Sequence, residues 1–376
     1  MKKIYTIILL LGLASSGYAK ANVQTTYRVD QELSGNSKIK LNPKPKMKWK
    51  FKTKSDVKTT AMVAGDIVIV GSDDYKLYGI EAKTGKKKWE FATKDSFEAS
   101  PFVIDKTIYI GNLNSFLYAI DLETGKEKWK FETGGKVVGS VNSYVMGDPN
   151  KDGKVGIVFG SHDNNLYCLD AKDGSKIWVY ESEYYVNSTP AIYQDKIVFG
   201  GCDGFVHIVD AKNGKPFKTI DTGSYIAKAT PVVNDSIYAG NYDDYFYCFD
   251  LKTKEVKWKF TSGSGEPFFC TSAVNDKLAI IGNGNGYLYA IDIATGKEKW
   301  KFNSGDNIEA SPLICDDKII FGNNKGTIYI LDFEGKEIWN YKIGKAISAA
   351  VNVTEKLILV SCENGYLYAF DNSGKW

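Results

Sequence analysis

Tryptophan recurs along this chain at a nearly constant interval, and this recurrence constrains the fold more than any other feature. The eight tryptophans are Trp49, Trp89, Trp129, Trp178, Trp258, Trp300, Trp339 and Trp376. Most neighbours are separated by about 40 residues, a period typical of β-propellers and solenoids. One double interval runs from Trp178 to Trp258, with Phe217 near the place where a tryptophan is missing. The chain is therefore predicted to repeat one structural unit.

Each repeat is predicted to be a blade of four antiparallel strands, A to D. A glycine ends strand B, and an apolar residue starts strand C six positions later, as in Gly111 and Leu117. This constant spacing, with Ser361 replacing glycine in the last repeat, is typical of a tight hairpin. A Thr-Gly turn leads to strand D, which reads Lys-x-x-Trp-x-Phe, and strand A often opens with Ser-Pro or Thr-Pro.

An acidic residue stands four positions after the start of each strand C. These residues are Glu81, Asp121, Asp170, Asp210, Asp250, Asp292, Asp332 and Asp371. Because each precedes a turn, its carboxylate is expected to accept backbone N–H bonds. The register is therefore predicted to be structural rather than catalytic or metal-binding.

The strand count predicts a closed ring. Eight sets of strands A, B and C occur, but no strand D follows the last strand C at residues 366–371. Residues 47–51 have the strand D pattern with no A, B or C before them. We therefore predict an all-β fold, an eight-bladed propeller over residues 47–376. Residues 47–51 complete blade 8, and all the tryptophans but Trp376 pack between blades.

The N-terminal residues predict export. Residues 1–21 read as a signal peptide, with Lys2 and Lys3 before a short apolar run and an Ala19-Lys20-Ala21 cleavage site. A buried N-terminal helix is the alternative. The first cysteine is Cys168, so no lipoprotein cleavage site is expected. With residues 22–46 as a lead-in and no later transmembrane segment, the sequence predicts a periplasmic or secreted protein.

Charge and cysteine content exclude some functions. The formal net charge is +3, and removal of residues 1–21 brings it near zero. Arg28 is the only arginine among the 48 basic residues, so nucleic-acid binding is not expected. The six cysteines form no CxxC motif, and Cys168 and Cys248 stand where other repeats carry alanine. This favours buried free thiols, with disulfides as the alternative.

The pattern A-x-D-x-x-T-G-x-x-x-W, carried by residues 82–89, 119–129 and 290–300, resembles the repeat of PQQ-like β-propellers. That family includes quinoprotein dehydrogenases, which use pyrroloquinoline quinone (PQQ), and the non-enzymatic assembly lipoprotein BamB. The resemblance implies that the strand D tryptophans dock between blades. The dehydrogenases are longer, and many carry a vicinal cysteine pair beside the quinone, which this sequence lacks. PQQ is therefore not expected, and the missing lipoprotein cysteine also departs from BamB.

One insertion in the third repeat suggests a calcium site. Residues 148–153 read D-x-N-x-D-G, which supplies oxygen ligands at alternate positions and a glycine for the turn. Asp148, Asn150 and Asp152 would bind through side chains, and Lys154 through its carbonyl. Gly156 stands where such loops often have an acid, so a modest, structural site is predicted. A polar hairpin turn is the alternative.

The loops that vary between repeats are predicted to carry function. The D–A and B–C loops share one face, where aromatic and charged residues are expected to surround the channel mouth. The candidates are Lys58, Phe97, Glu98, Tyr184, Tyr185, Asn187, Tyr225, Lys228, Phe268, Phe269 and Glu309. Mutually neutralising charges without a ligand are the alternative. His162 lies on the same face, whereas His207 is expected to pack.

The sequence favours an exported, monomeric binding or scaffolding propeller without catalytic activity. A BamB-like part in envelope protein assembly is one version, with a protein partner or a small or carbohydrate ligand on the loop face. A PQQ-dependent dehydrogenase and a carbohydrate- or partner-recognition module are the alternatives. Neither histidine has neighbours that indicate a catalytic triad.

Overall fold

The computed structural model describes residues 23–25, 27–147, 153–226 and 228–374. Every regular element in these residues is a β-strand, and none forms a helix that could span a membrane. The strands form eight four-stranded antiparallel blades, and two short strands, Val23–Thr25 and Asn36–Ser37, join blades 2 and 7. The predicted eight-bladed all-β propeller is confirmed.

The blades share one strand order, with strand A innermost and strand D at the rim. Strand A is Met62–Ala64, Phe102–Ile104, Asn142–Met146, Ala191–Tyr193, Val232–Val233, Ala273–Val274, Leu313–Cys315 and Asn352–Val353 in blades 1 to 8. Strand B is Ile67–Gly71, Thr107–Gly111, Lys154–Gly160, Lys196–Gly200, Ser236–Gly240, Leu278–Gly282, Lys318–Gly322 and Leu357–Cys362. Strand C is Lys76–Glu81, Phe116–Asp121, Asn165–Asp170, Phe205–Asp210, Tyr245–Asp250, Tyr287–Asp292, Thr327–Asp332 and Tyr366–Asp371. Strand D is Lys87–Ala92, Glu127–Glu132, Lys176–Glu181, Pro216–Asp221, Val256–Thr261, Glu298–Asn303, Glu337–Lys342 and Met47–Lys52.

The core is divided into eight apolar clusters, one at each interface between neighbouring blades. The cluster between blades 8 and 1 joins Trp49, Val68 and Leu359. Strand Met47–Lys52 pairs antiparallel with Tyr366–Asp371, so the predicted closure of blade 8 by an N-terminal strand is confirmed.

Seven tryptophans lie on D strands at these interfaces. In six of them Nε1 donates a hydrogen bond to a backbone carbonyl of the next blade. The pairs are Trp49 and Ala82, Trp89 and Leu122, Trp129 and Ala171, Trp178 and Ala211, Trp258 and Ile293, and Trp300 and Phe333. Trp339 packs against the cluster of blades 7 and 8. Six of the seven rings therefore add a polar contact to the apolar packing.

Blade 4 departs from the tryptophan pattern, and a lysine rather than Phe217 stands in the place of the tryptophan. Lys218 pairs with Ile208, as Trp178 pairs with Cys168 in blade 3, so Lys218 holds the tryptophan position. Phe217 precedes it at a register shift in strand D and is 53% exposed. Phe217 is therefore a rim residue, not a substitute for the missing tryptophan.

The acidic residue that ends strand C accepts backbone hydrogen bonds from the turn in seven blades, as predicted, whereas Glu81 in blade 1 accepts from the hydroxyl of Thr84. Asp121 Oδ1 accepts hydrogen bonds from the N–H groups of Glu123 and Thr124, at 3.2 and 2.9 Å. The backbone N–H of the residue two positions later likewise donates to the carboxylate of Asp170, Asp210, Asp250, Asp292 and Asp332. These carboxylates are therefore structural.

The lead-in enters the central channel, which the sequence analysis did not anticipate. The backbone carbonyls of Gln31, Glu32, Ser34 and Gly35 accept hydrogen bonds from blades 4, 5, 6 and 7 in turn, at or next to their A strands. Arg28, only 3% exposed, donates to the carbonyls of Ser272 and Pro312. The single arginine therefore holds the lead-in against the inner wall.

Hydroxyl groups at the start of strand A link successive blades around the channel. Thr60 N–H donates to Ser100 Oγ, Ser100 N–H to Ser140 Oγ, and Ser140 N–H to Thr189 Oγ1, at 3.0 to 3.1 Å. Thr271 N–H donates in the same way to Ser311 Oγ. The Ser-Pro and Thr-Pro motifs thus supply an inter-blade acceptor as well as a strand start.

Candidate binding site at the loop face

The central channel opens among the D–A and B–C loops into a cavity of about 280 Å³, which we call the mouth cavity. It brings together five candidate residues from different blades: Lys58, Glu98, Asn187, Lys228 and Glu309. The sequence analysis missed other lining residues: Tyr27, Val138, Ser348 and Glu363. Val138 and Ser348 hold the register of Glu98 in blades 3 and 8, so repeat alignment could have found them. Tyr27 belongs to the lead-in, which has no repeat signal.

The charges around the mouth cavity largely neutralise one another. Lys58 Nζ lies 2.8 Å from Asp73 Oδ2, and this hydrogen bond raises the pKa of Lys58. Glu309 Oε1 accepts hydrogen bonds from Nδ2 of Asn307 and Asn324, at 3.2 and 2.7 Å. Two lysines and three glutamates thus line the cavity without a strong field of either sign.

A row of aromatic rings runs beside the cavity across blades 3 to 6. We call it the aromatic strip; it consists of His162, Tyr184, Tyr185, Tyr225, Tyr242 and Phe269. Tyr185 stacks on His162 with centroids 4.7 Å apart, and Tyr184 contacts Tyr185 at 4.4 Å. Tyr242 meets Tyr225 at 6.3 Å and Phe269 at 5.3 Å. The four tyrosines are 38 to 56% exposed, which is unusual for large rings outside a binding surface.

Two candidates for this face are buried instead. Phe97 and Phe268 are 0 and 3% exposed and lie in the clusters between blades 1 and 2 and blades 5 and 6. A Cβ on Gly71 would lie 2.5 Å from Phe97 Cβ, so the terminal glycine of strand B makes room for this ring. Their prediction as ligand-face residues was wrong because both hold a register at which every blade carries a buried apolar residue, as Val57, Val137 and Ile308 do.

Several hydrogen-bond acceptors near the mouth cavity are buried and have no partner within the described part of the chain. They are Asp73 Oδ1, Asn187 Oδ1, Asn307 Oδ1 and Asn324 Oδ1. His162 Nε2, which donates or accepts according to the tautomer, is likewise buried without a partner among the described residues. Buried polar atoms in proteins are nearly always hydrogen-bonded, because an unmet bond costs about 1–3 kcal/mol. The cluster therefore has the capacity to accept hydrogen bonds from a ligand.

The candidate nucleophiles and bases do not form a catalytic arrangement among the described residues. Burial lowers the pKa of His162, and its ring stacks on Tyr185. His207 is buried between Tyr180 and Asp203, each 2.9 Å from one ring nitrogen, and so packs as predicted. Burial raises the pKa of Cys202, whose Sγ accepts a hydrogen bond from Asn187.

All six cysteines are free, and Cys202 is the one that is not buried. Burial raises the pKa of Cys270 to about 11 and of Cys315 to about 12. Thiols with such pKa values are neutral at physiological pH and therefore poor nucleophiles. They pack as small apolar groups, as the sequence analysis favoured.

Most of the predicted calcium loop lies outside the described residues, namely Asp148, Asn150 and Asp152. Lys154 begins strand B of blade 3, and its Nζ lies 3.7 Å from Asp170 Oδ2. Within the residues that the structure describes, no cluster of three or more His, Cys, Asp or Glu side chains could hold a metal ion.

The fold and the repeat place this chain among the PQQ-like β-propellers. Residues 144–376, more than half of the chain, match the family described as the β-propeller of the β-alanine-activating enzyme, and the chain belongs to this family. Residues 39–102 match the model described as outer membrane protein assembly factor BamB. A comparison with curated proteins finds no match.

Solved structures show the same fold at low identity. BamB from Moraxella catarrhalis is 19% identical, with a TM-score of 0.71 over 88% of this chain and 99% of its own. Quinohemoprotein alcohol dehydrogenase from Comamonas testosteroni is 13% identical, with a TM-score of 0.74 over 94% and 81%. The computationally designed protein Ika8 is 15% identical, with a TM-score of 0.72 over 85% and 98%. A fold shared by such different proteins does not define one function.

Proposed function

We propose that this chain is an exported, non-catalytic binding propeller that holds a partner on its loop face. The observation that carries the proposal is the exposed aromatic strip beside the mouth cavity. Exposed aromatic patches next to convergent polar groups are typical of recognition surfaces. The rest of the ring supplies a rigid support, because every blade interface has its own apolar cluster.

The predicted export signal at residues 1–21 and the BamB match at residues 39–102 support a place in envelope protein assembly. In this role the propeller acts as a monomer outside the cytoplasm and presents its loop face to a partner.

A quinone cofactor fits this cavity poorly. PQQ is a tricarboxylate, and Glu98, Glu309 and Glu363 would bring further negative charge against it. Lys58 is already paired with Asp73, and Arg28 is buried against backbone carbonyls. We therefore propose no redox step, and we expect that titration with PQQ and calcium leaves the melting temperature unchanged.

Site-specific photocrosslinking in the native cell tests the binding role. A photoreactive phenylalanine replaces Tyr185 or Tyr225 on the aromatic strip, and Phe217 at the rim as a control of similar exposure. We expect defined products from the two strip positions and none of them from Phe217. The same products from all three positions, or none from the strip, would overturn the proposed function.

A further inference from the structure

We propose that the loop face binds a neutral, hydroxyl-rich ligand, the end of an oligosaccharide chain. One sugar occupies the mouth cavity, and the following sugars lie on the aromatic strip. This inference rests on the proposed binding function and names the chemistry of its ligand. Three independent features of the described residues support it.

The first feature is the geometry of the aromatic strip. Tyr184, Tyr185, Tyr225 and Tyr242 come from loops of three blades and expose 38 to 56% of their surface. A pyranose presents a C–H face that packs on aromatic rings, while its hydroxyl groups remain at the edge. A tyrosine suits such a ligand because its ring is apolar and its hydroxyl is polar. The exposed parts of these rings are therefore where the sugars outside the cavity would pack.

The second feature is an excess of acceptors. The amides of Asn307 and Asn324 both donate to Glu309 Oε1, which fixes their orientation and leaves each Oδ1 as an acceptor without a donor. The amide of Asn187 donates to Cys202 Sγ, 3.2 Å away, and its Oδ1 has no donor within the described part of the chain. Sugar hydroxyls supply donors in the number and directions that such a cluster needs.

The third feature is the balance of charge. Lys58 pairs with Asp73, and Ser348 Oγ donates to Glu363 Oε1 at 2.5 Å. Glu309 is similarly engaged by two amides. Lys58, Glu309 and Glu363 are therefore committed to protein partners. The two other charged residues of the lining, Lys228 and Glu98, carry opposite charges, so the cavity has no net positive charge to attract an anionic ligand. The volume of about 280 Å³ lies at the small end of ligand pockets, which suits a single sugar ring.

Calorimetric titration of the full mature chain tests this inference with defined probes. The neutral hexasaccharides are cellohexaose, maltohexaose and chitohexaose, and the charged one is a hexamer of galacturonic acid. We expect at least one neutral hexamer to bind with a Kd below about 1 mM. The galacturonate hexamer should bind at least tenfold more weakly.

Variants locate the binding. Tyr185→Ala and Tyr225→Ala should each weaken binding at least tenfold with an unchanged melting temperature. Asn324→Leu should weaken it because one acceptor is lost. Phe217→Ala, which removes an exposed ring at the rim, should bind like the parent.

Two results would overturn the inference: no neutral hexamer binds, or binding is unaffected by the strip variants. Photocrosslinks from Tyr185 and Tyr225 to a protein alone would also overturn it, while leaving the proposed binding function intact. The absence of any crosslink from Tyr185 and Tyr225, in contrast, would contradict the proposed binding function itself.

Discussion

The indole ring of Trp89 lies against the backbone of Gly125, in the turn that precedes strand D of blade 2. A Cβ on Gly125 would stand 2.6 Å from Trp89 Cδ2, and the φ of Gly125 is +69°. Trp89 Nε1 also donates to the carbonyl of Leu122, 3.0 Å away. The tryptophan of one blade and the glycine of the next turn are therefore a single packing unit, and the spacing of both in the sequence reflects one contact.

Replacing Gly125 should lower the free energy of unfolding by more than its positive φ alone accounts for. Gly125→Ala places a side chain at positive φ, which costs about 1–2 kcal/mol, and against Trp89, which costs about 1–3 kcal/mol. Gly263→Ala is the matched control, because Gly263 has φ +73° with open space around its Cβ position. Urea unfolding should show that Gly125→Ala loses at least 1 kcal/mol more than Gly263→Ala. Equal losses would mean that the tryptophan contact contributes nothing.

The interface between blades 4 and 5 lacks this unit on both sides. Lys218 holds the tryptophan position of blade 4, and Lys254 holds the glycine position of the next turn, with φ +65°. The two lysines occur together because, without an indole ring against it, the turn no longer needs a residue that lacks a side chain.

Restoring both residues should stabilise the ring more than the sum of the single changes. Lys254→Gly relieves the positive φ, and Lys218→Trp then finds the space that it needs. We expect a favourable coupling of at least about 1 kcal/mol in a double-mutant cycle measured by urea unfolding. Additive effects would show that the register of Lys218 does not direct its side chain to this turn.

The fold could be predicted because each blade repeats the same contacts. Trp49 identified the closing strand because its pattern matched six others. The cavity residues Lys58, Glu98 and Glu309 were predictable for the same reason, since they share one register. Burial of Phe97 was predictable on the same ground, since an apolar residue holds its register in every repeat, from Val57 to Ile347.

The path of the lead-in could not be predicted, because the lead-in takes no part in the repeat. The contacts of Arg28 and Leu33 occur once in the chain and have no counterpart in the repeats. Both residues have positive φ values, of 62° and 60°. The one feature of the sequence that could have indicated this path is that Arg28 is the single arginine of the chain. The low arginine content was used only to predict what the surface does not bind, whereas Arg28 itself is buried.

Deletions can separate ring closure from channel filling. Removal of residues 22–52 takes away strand Met47–Lys52 and exposes the edge of Tyr366–Asp371, and exposed edges promote aggregation. Removal of residues 22–45 keeps that strand but loses the contacts of Arg28. We expect the longer deletion to aggregate on size-exclusion chromatography and the shorter one to stay monomeric with a lower melting temperature. A monomeric longer deletion that melts like the parent would contradict closure by this strand.

Acid stability should depend on the buried pair of Asp203 and His207. Burial acts to raise the pKa of Asp203, but the hydrogen bond and charge of His207 bring it below its usual value. A lowered folded pKa contributes stability above the unfolded pKa of about 3.9, and this is lost as the pH falls through the folded pKa. His207→Tyr installs the residue that the other seven blades carry. The free energy of unfolding should then fall less between pH 4 and pH 2 than in the parent. An unchanged slope would show that the pair is not coupled to folding.

Calcium should raise the melting temperature through residues 148–154, for which we propose a structural site on the sequence pattern alone. A ligand at 100 times its Kd stabilises a protein by about 2.7 kcal/mol, so calcium well above Kd should shift the melting temperature by several degrees relative to EDTA. Asp152→Ala removes one proposed carboxylate ligand and should abolish the shift, whereas Lys172→Ala, an exposed change in blade 3, should preserve it. Magnesium should act more weakly because it requires a stricter octahedral geometry. If the parent melts identically with calcium and with EDTA, the segment is a polar turn and the ring is held by its blade interfaces without a metal.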